Sequence, residues 1–416
     1  MPIRLLEGRP ARTGALALVI VLTWPGATPA ADIVLGMSAA FKGPSRGLGI
    51  ELYRGSMAYF QEVNEKGGID GRRIVIKAYD DGYNPTPAIA NTIRLVQEDK
   101  VFLLYGYVGT PTVTRVLPLL KRYREPPVFL FFPFTGAEPH RQVPYRRFVF
   151  NLRASYREET EGLVNHFVAV GRQKIAVFYQ IDAYGRSGWT GVRRALAQHK
   201  LTMAGEATYY RGTPYSASLR AQVDILRRKE PDAVISIGAY AACAAFIRDA
   251  RDAGWDVPIA NVSFVGSENM LALLLATGKE KNKDYTRNLI NSQVVPSYHN
   301  EKLAGVREYR ALMAKHHPRP PAQLVADDYK PVPHSFVSFE GFLDAKLLVE
   351  ILRRMAPRIE QARIREVVES MPPVELGIDR KASFGPDKHQ GLDWVYYTEV
   401  VGDRFIRLAD WRRYRK

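Results

Sequence analysis

Apolar and polar positions along this chain fall into two alternating periods, one near two residues and one near three and a half. Short apolar runs read as strands: Ile33 to Ser38, the stretch RRIVIKAYDD with Ile74 and Ile76 on one face, VFLLYGY from Val101, and VFLFF from Val128. Between them lie amphipathic stretches. The first carries Tyr53, Met57, Phe60 and Val63 at spacings of three and four and ends at NEKGG, where glycine closes a helix. A second helix is predicted from about Pro85 to Glu98. Strand alternating with helix predicts a parallel sheet wrapped by helices.

The alternation restarts after Asn151. It predicts a helix over Tyr156 to Val170, strand KIAVFYQ, a helix over Tyr184 to His199, a strand near Ala207 to Tyr210 and a helix over Ala217 to Lys229. Strand DAVISIG, a helix over Ala241 to Ala253 and a strand over Ile259 to Val265 follow. Two such series imply two lobes, as does a length of 416 residues with 46% hydrophobic content. Beyond them come a strand over Leu289 to Tyr298, helices near Leu303 to Lys315 and Val337 to Met355, and a strand-like alternation over Ala382 to Leu408.

The amino terminus reads as an export signal. Arg4, Arg9 and Arg12 precede the apolar run Gly14 to Trp24 and the small residues Ala27 to Ala31, so cleavage is expected near Ala30/Ala31. The run is about eleven residues, short of the roughly 20 that span a bilayer. The single cysteine, Cys243, permits no intrachain disulfide and sits in an alanine-rich helical pattern as a small buried hydrophobe. Formal charge is +16, of which the first 30 residues carry two, leaving +14. The basic residues are scattered through helices and tails rather than interleaved with aromatics, which argues for solvated faces and against a nucleic-acid partner.

Two loops hold the candidate chemistry. In Gly106 to Thr112, Thr110 can cap a helix with Pro111 at its first position, so that free N–H groups face the carboxyl edge of the sheet, a place for an anion. In PFTGAEPHR, Thr135 supplies a hydroxyl, Gly136 permits close backbone approach, and Phe134 is the aromatic placed to touch a ligand. Catalytic patterns are poor. Gly36 to Ala40 resembles a nucleophile turn only faintly and has no well-placed histidine; FKGPSRGLG lacks the dinucleotide spacing; Asp80 and Asp81 lack neighbouring carboxylates for a metal. A binding protein rather than an enzyme is expected, with no cofactor and no metal.

GGIDGRRIVIKAYDD, the two loops, YQIDAYG (Tyr179 to Gly185) and GAYAACAAFIRDARDAGW (Gly238 to Trp255), in this order and spacing, resemble the branched-chain amino-acid binding proteins of ABC importers. These are periplasmic receptors of the Leu/Ile/Val type, and the likeness runs from about Asp32 to about Trp394. It implies the α/β fold of type I periplasmic binding proteins: two Rossmann-like lobes with parallel sheets flanked by helices, joined by three crossing strands. Residues 1–30 are then the signal, 31–151 plus 296–375 lobe 1, and 152–295 plus 384–416 lobe 2. Crossings are expected near Phe150 to Arg153, near Val294 to Ser297, and between about Val374 and Phe384.

By the same resemblance, Thr110 and Thr112, with Phe134, Thr135 and Gly136, bind ligand from lobe 1. Tyr184, Tyr240 and Glu268 bind it from lobe 2, Glu268 meeting an ammonium. The chain departs from the family in AFKGPSRGLG, with Lys42 and Arg46 near the cleft mouth, in Thr-Pro-Thr where a serine run is usual, and in Phe134. These changes favour a larger, more aromatic or more anionic ligand than leucine, with Arg153 and Tyr156 in NLRASY either as a counter-charge to an anion or as part of an ion pair between the lobes. The implied function is an exported, monomeric periplasmic receptor delivering a small molecule to an inner-membrane ABC permease. A sensory module of the same fold is the alternative.

Overall fold

The computed structural model describes residues 1–2, 31–123, 125–326 and 328–416. The expected signal falls almost wholly outside the described residues. The first unit runs β1 (Ile33–Ala39), α1 (Arg46–Glu65), β2 (Ile74–Asp80), α2 (Pro85–Gln97), β3 (Leu103–Tyr105), α3 (Thr110–Arg122), β4 (Leu130–Phe131) and β5 (Val149–Phe150). These strands form one parallel sheet in the order β2-β1-β3-β4-β5, with Ile33 opposite Ile74 and Leu104 opposite Leu130. β1 is apolar and almost wholly buried because helices cover both faces of such a sheet.

The second unit runs α4 (Tyr156–Ala169), β6 (Ile175–Gln180), α5 (Ala183–Gln198), β7 (Gly205–Tyr209), α6 (Arg220–Arg227), β8 (Ala233–Ile237), α7 (Tyr240–Asp252), β9 (Ile259–Asn261), α8 (Ser267–Lys281) and β10 (Leu289–Gln293). After it come α9 (Ala304–His316), α10 (Phe336–Met355), α11 (Ile364–Ser370), β11 (Val374–Glu375), β12 (Lys381–Ala382), β13 (Tyr396–Val401) and β14 (Arg404–Arg407). The second sheet has the order β14-β13-β10-β9-β8-β6-β7, parallel except at β13 and β14. The late helices pack on the first unit: α9 and α10 lie against α1, and Ser56 Oγ donates to the Gly341 carbonyl at 3.0 Å. The two-lobed α/β architecture expected from the alternating pattern is therefore present.

Three local expectations change. The apolar run Ile259 to Val265 is strand only to Asn261 and then turns through a 3-10 segment, Ser263–Val265. The strand from Leu289 stops at Gln293 rather than Tyr298. The segment beside the first crossing is His389 to Leu392, where Gly391 N donates to Asn151 O and Leu392 N to Leu152 O, each at 2.8 Å. The stretch proposed as the third crossing, Val374 to Phe384, instead contains the short hairpin β11-β12. Short apolar runs have no periodicity that separates a strand from a turn.

Aspartates at the end of β2 fix the edge of the first sheet. Asp80 accepts from the N–H groups of Phe41, Lys42 and Gly82, and Asp81 from Ser38 Oγ and Tyr83 N. Cys243 is buried in α7 beside Ser236, its thiol pushed up to about 12 by burial. Among the described residues, no helix is long and apolar enough to cross a membrane.

Candidate functional site

The loops after β3 and β4 meet as a pair. Gly109, with φ of 101°, precedes α3, and a Cβ there would stand 2.1 Å from the Tyr83 ring, so glycine is what lets that ring close over the loop. Helix α3 starts at Thr110 itself, with Gly109 in the cap position, one residue before the expected start at Pro111. Thr110 therefore caps nothing; its Oγ1 shares a 2.6 Å hydrogen bond with Thr135 Oγ1. Thr112 turns back onto its own helix, donating toward the Val108 and Gly109 carbonyls at 2.6 and 2.7 Å, and does not join the group. At Gly136 the close approach is made by Tyr156: its N–H donates to Gly136 O at 2.7 Å, and a Cβ on Gly136 would fall 2.6 Å from that nitrogen.

The opposing wall comes from the second sheet. Asp182 caps α5 by accepting from Tyr184 N at 2.9 Å, and this sets Tyr184 in the first turn with its hydroxyl on Gly238 O at 3.3 Å. The turn after β9 inserts Phe264. Its ring lies 5.4 Å from Phe134, 5.7 Å from Tyr83 and 4.6 Å from Tyr184, centroid to centroid, and Tyr156 stands 5.1 Å from Tyr184. Such tilted contacts are favourable aromatic geometry. Gln180 Nε2 donates to Tyr83 Oη at 3.2 Å across the same boundary. Thr110, Phe134, Thr135, Tyr184 and Phe264 are each at most 1% exposed, so the layer is closed.

Arg153, just past β5, stands at the edge of these rings. Its guanidinium lies 4.5 Å over Phe134 and 6.0 Å from Tyr156. Nη2 donates to Ser263 Oγ, and carboxylates flank it at 3.8 Å (Glu159) and 3.6 Å (Glu340). Glu159 is itself fixed by Ser263 N at 2.7 Å, Ser263 Oγ at 2.9 Å and Ser292 Oγ at 2.6 Å. Burial pulls the Arg153 pKa down, but Glu340, Tyr156 and Glu159 outweigh it and hold it above the ordinary value. Burial raises the Glu340 carboxyl and pushes the Tyr156 phenol up to about 12. Arg153 Nε and Nη1 and the Tyr156 hydroxyl have no hydrogen-bond partner among the described residues.

Two expected residues lie elsewhere. Tyr240 opens α7 and its hydroxyl accepts from Gly47 N at 3.2 Å, tying the second unit to the start of α1. Glu268, in the first turn of α8, lines a separate cavity of about 430 Å³ with Tyr298, Val332, His334 and Phe405. Its oxygens make no full hydrogen bond, Tyr298 and the Phe336 N–H being the nearest donors, and burial outweighs both and pushes its carboxyl up to about 7. The position facing Arg153 is taken by Ser263. Arg46, expected near the cleft mouth, is bound by Asp328 through two 2.8 Å hydrogen bonds. Glu62, Glu65 and His316 gather on the outside of α1 and α9, but Lys315 Nζ already lies 2.5 and 2.8 Å from the two glutamates, making an ion network.

Sequence reasoning missed Tyr83, Ser263, Phe264 and Glu159 as members of the site. The signal for Phe264 and Ser263 was hidden inside an apolar run read as strand. For Tyr83 it was the Gly82-Tyr83 turn, where Tyr83 takes a φ of 60°, uncommon for a bulky residue.

Two α/β units thus meet across a closed layer of rings and hydroxyls, and the comparisons identify the fold. Residues 32–404 match the family described as periplasmic binding protein. A Rhodopirellula baltica crystal structure of a possible leucine/isoleucine/valine-binding protein superposes with a TM-score of 0.81 at 31% identity, covering 92% of this chain and 98% of that one. The amino acid binding protein of Pseudomonas aeruginosa is 27% identical over 247 residues, 58% of this chain and 64% of that protein, just under two thirds of its length. Leu/Ile/Val-binding protein homolog 7 of Brucella abortus is 24% identical over 362 residues, 82% of each.

The chain belongs to the periplasmic binding protein family. It is a binding protein and not an enzyme, as its homologues and fold are.

Proposed function

We propose that this protein is exported to the periplasm, takes a small molecule into the cleft between its lobes, and presents the closed, loaded form to an ABC permease in the inner membrane. The moving bodies are the first unit with α9 to α11 and the second unit with β13 and β14. Ligand contacts come from Thr110, Phe134, Thr135, Tyr184 and Arg153, with Gly136 holding Tyr156 in place and Phe264 added from the turn after β9.

The observation that carries this reading is the buried layer in which Phe134 and Tyr83 from one unit meet Phe264 and Tyr184 from the other. Hinge opening separates those rings and exposes an apolar slot edged by two hydroxyls and a guanidinium, the composition of a small-molecule pocket. A ligand filling the slot contacts both lobes and so stabilises the closed form.

The test is thermal shift of the mature protein against amino acids, aromatic acids and amides, followed by uptake in cells lacking it. One solute class raises the melting temperature, since binding raises native stability, and its uptake falls in the deletion strain. Stabilisation with unchanged uptake, once induction is bypassed, would identify a sensor instead.

A further inference from the structure

We infer that the ligand of this cleft carries a carboxylate and no ammonium group, and that Arg153 and Tyr156 hold the carboxylate; the inference rests on the cleft being the ligand site proposed above. Arg153 is 1% exposed, yet its Nε and Nη1 have no hydrogen-bond partner among the described residues. Leaving a buried donor unmade costs about 1–3 kcal/mol, more when the group is charged. A fold keeps such donors at low cost only when something else completes them.

The neighbouring acids do not complete them. Glu159 directs its oxygens at Ser263 and Ser292, and Glu340 stands 3.6 Å from Nε, beyond a normal hydrogen bond. The Tyr156 hydroxyl is a second buried group that makes no full hydrogen bond, with the Thr135 hydroxyl as its nearest polar neighbour, on a ring 6.0 Å from the guanidinium. Thr110 and Thr135 share a single hydrogen bond between two hydroxyls, so one proton of the pair remains to be given. A planar guanidinium with two free N–H groups, a phenol and a hydroxyl proton form a donor set, and a carboxylate is the small anion that accepts such a set from one side.

An ammonium has no place to go. The carboxylates nearest the rings, Glu159 and Glu340, already flank Arg153. Buried carboxylate oxygens without a partner among the described residues belong to Glu268, which faces the separate cavity beside Tyr298 and His334, and to Asp344, one turn along α10 from Glu340. Aromatic faces attract cations, but Arg153 already sits over Phe134 at 4.5 Å, and a second cation beside it is repelled.

Isothermal titration of the mature protein at neutral pH tests the inference with matched probes: phenylpropanoate against phenylalanine, isocaproate against leucine, and benzoate and phenethylamine alone. At least one carboxylate binds, its α-amino counterpart binds about a hundredfold more weakly or worse, as expected for burying an unpaired charge, and phenethylamine does not bind. Tyr156→Phe weakens the carboxylate about fivefold, the loss of one hydrogen bond, and Arg153→Lys weakens it further. If Arg153→Lys does not fold, Tyr156→Phe carries the test. Equal or tighter binding of the amino acid, or wild-type affinity in Tyr156→Phe, overturns the inference and leaves the receptor reading standing. A folded protein that binds no acid and no amino acid overturns both.

Discussion

Two buried layers join the lobes and treat their polar groups in opposite ways. In the layer of Glu51, Tyr329, Tyr240 and Asn269, the charge and the hydroxyls are occupied by protein. Glu51 accepts from Tyr329 Oη at 2.8 Å and Val332 N at 3.2 Å and pairs with Arg54, while Asn269 donates to Tyr329 and Gly47 donates to Tyr240. In the layer of Arg153, Phe134, Tyr184 and Phe264, donors on Arg153 and Tyr156 have no partner among the described residues. Both layers are buried, so burial does not mark the ligand site. Nor does a single unmet atom, since Asn269 Oδ1 in the first layer has no partner among the described residues either. What differs is the charged group, met by protein for Glu51 and left with unmet N–H groups for Arg153, so we read the first layer as a latch and the second as the proposed receiving layer.

The largest effect should come from removing the group that anchors Arg153. Glu159→Ala leaves a buried guanidinium with one acid fewer and strips Ser263 of the acceptor that shapes its turn. Breaking a buried ion pair in this way costs about 3–5 kcal/mol, and chemical denaturation should show it whether or not ligand is present. A loss confined to ligand affinity, with stability unchanged, would mean that Glu159 belongs with the ligand contacts and not with their support.

Glu268 supplies the next test, through pH. Its carboxyl is pushed up to about 7 by burial, from an ordinary 4.5. Between those values the native state holds a proton that the unfolded chain has lost, so this group's contribution to stability is complete below about pH 4.5, falls as pH rises toward 7, and is then flat. Glu268→Gln removes the fall. The variant should match wild type near pH 4.5 and exceed it at pH 8 by on the order of 1–3 kcal/mol. A pH-independent difference in denaturation midpoint would place a partner on Glu268 in solution and return it to the candidates for a ligand's ammonium.

Much of the frame was legible because it rests on periodicity. The strand and helix alternation, the stripe through Tyr53, Phe60 and Val63, and the paired loops after VFLLYGY and VFLFF all reappear. Membership of the candidate layer was legible where a residue is set by its place at a sheet edge or helix start, as with Thr110, Thr135, Phe134 and Tyr184. It failed where hydrogen-bond direction decides. Nothing local distinguishes Thr112, which turns onto its own helix, from Thr110, which faces Thr135. Ser263 and Phe264 were hidden because an apolar run that bends into a turn looks like one that stays extended. Arg153 was visible only as an alternative between an anion site and an ion pair, since its partners Glu159 and Glu340 come from α4 and α10.

Within the ligand layer, Thr110→Val isolates one hydroxyl. It keeps the branched shape at the start of α3 and deletes the buried hydrogen bond to Thr135, so ligand affinity should fall by about 1 kcal/mol, roughly fivefold, alongside a loss of unliganded stability of about the same size. Calorimetric titration checks the affinity and melting of the ligand-free protein the stability, and unchanged affinity would move the hydroxyl pair from ligand contact to loop packing.

The smallest effect tests the latch itself. Tyr240→Phe retains the ring and removes only the hydroxyl that accepts from Gly47 N, a single neutral hydrogen bond of about 0.5–1.5 kcal/mol. That bond crosses the cleft without touching the aromatic layer, so its loss should act on the open-closed balance alone. A shift of this size lowers the closed population and weakens every ligand by the same factor, leaving the ratio between acids and amino acids unchanged. Scattering of the ligand-free protein should show a slightly larger radius of gyration, and titration should show uniform weakening. If Tyr240→Phe instead changes which solute is preferred, its hydroxyl reaches the ligand, and the division between a latch and a receiving layer fails at that residue.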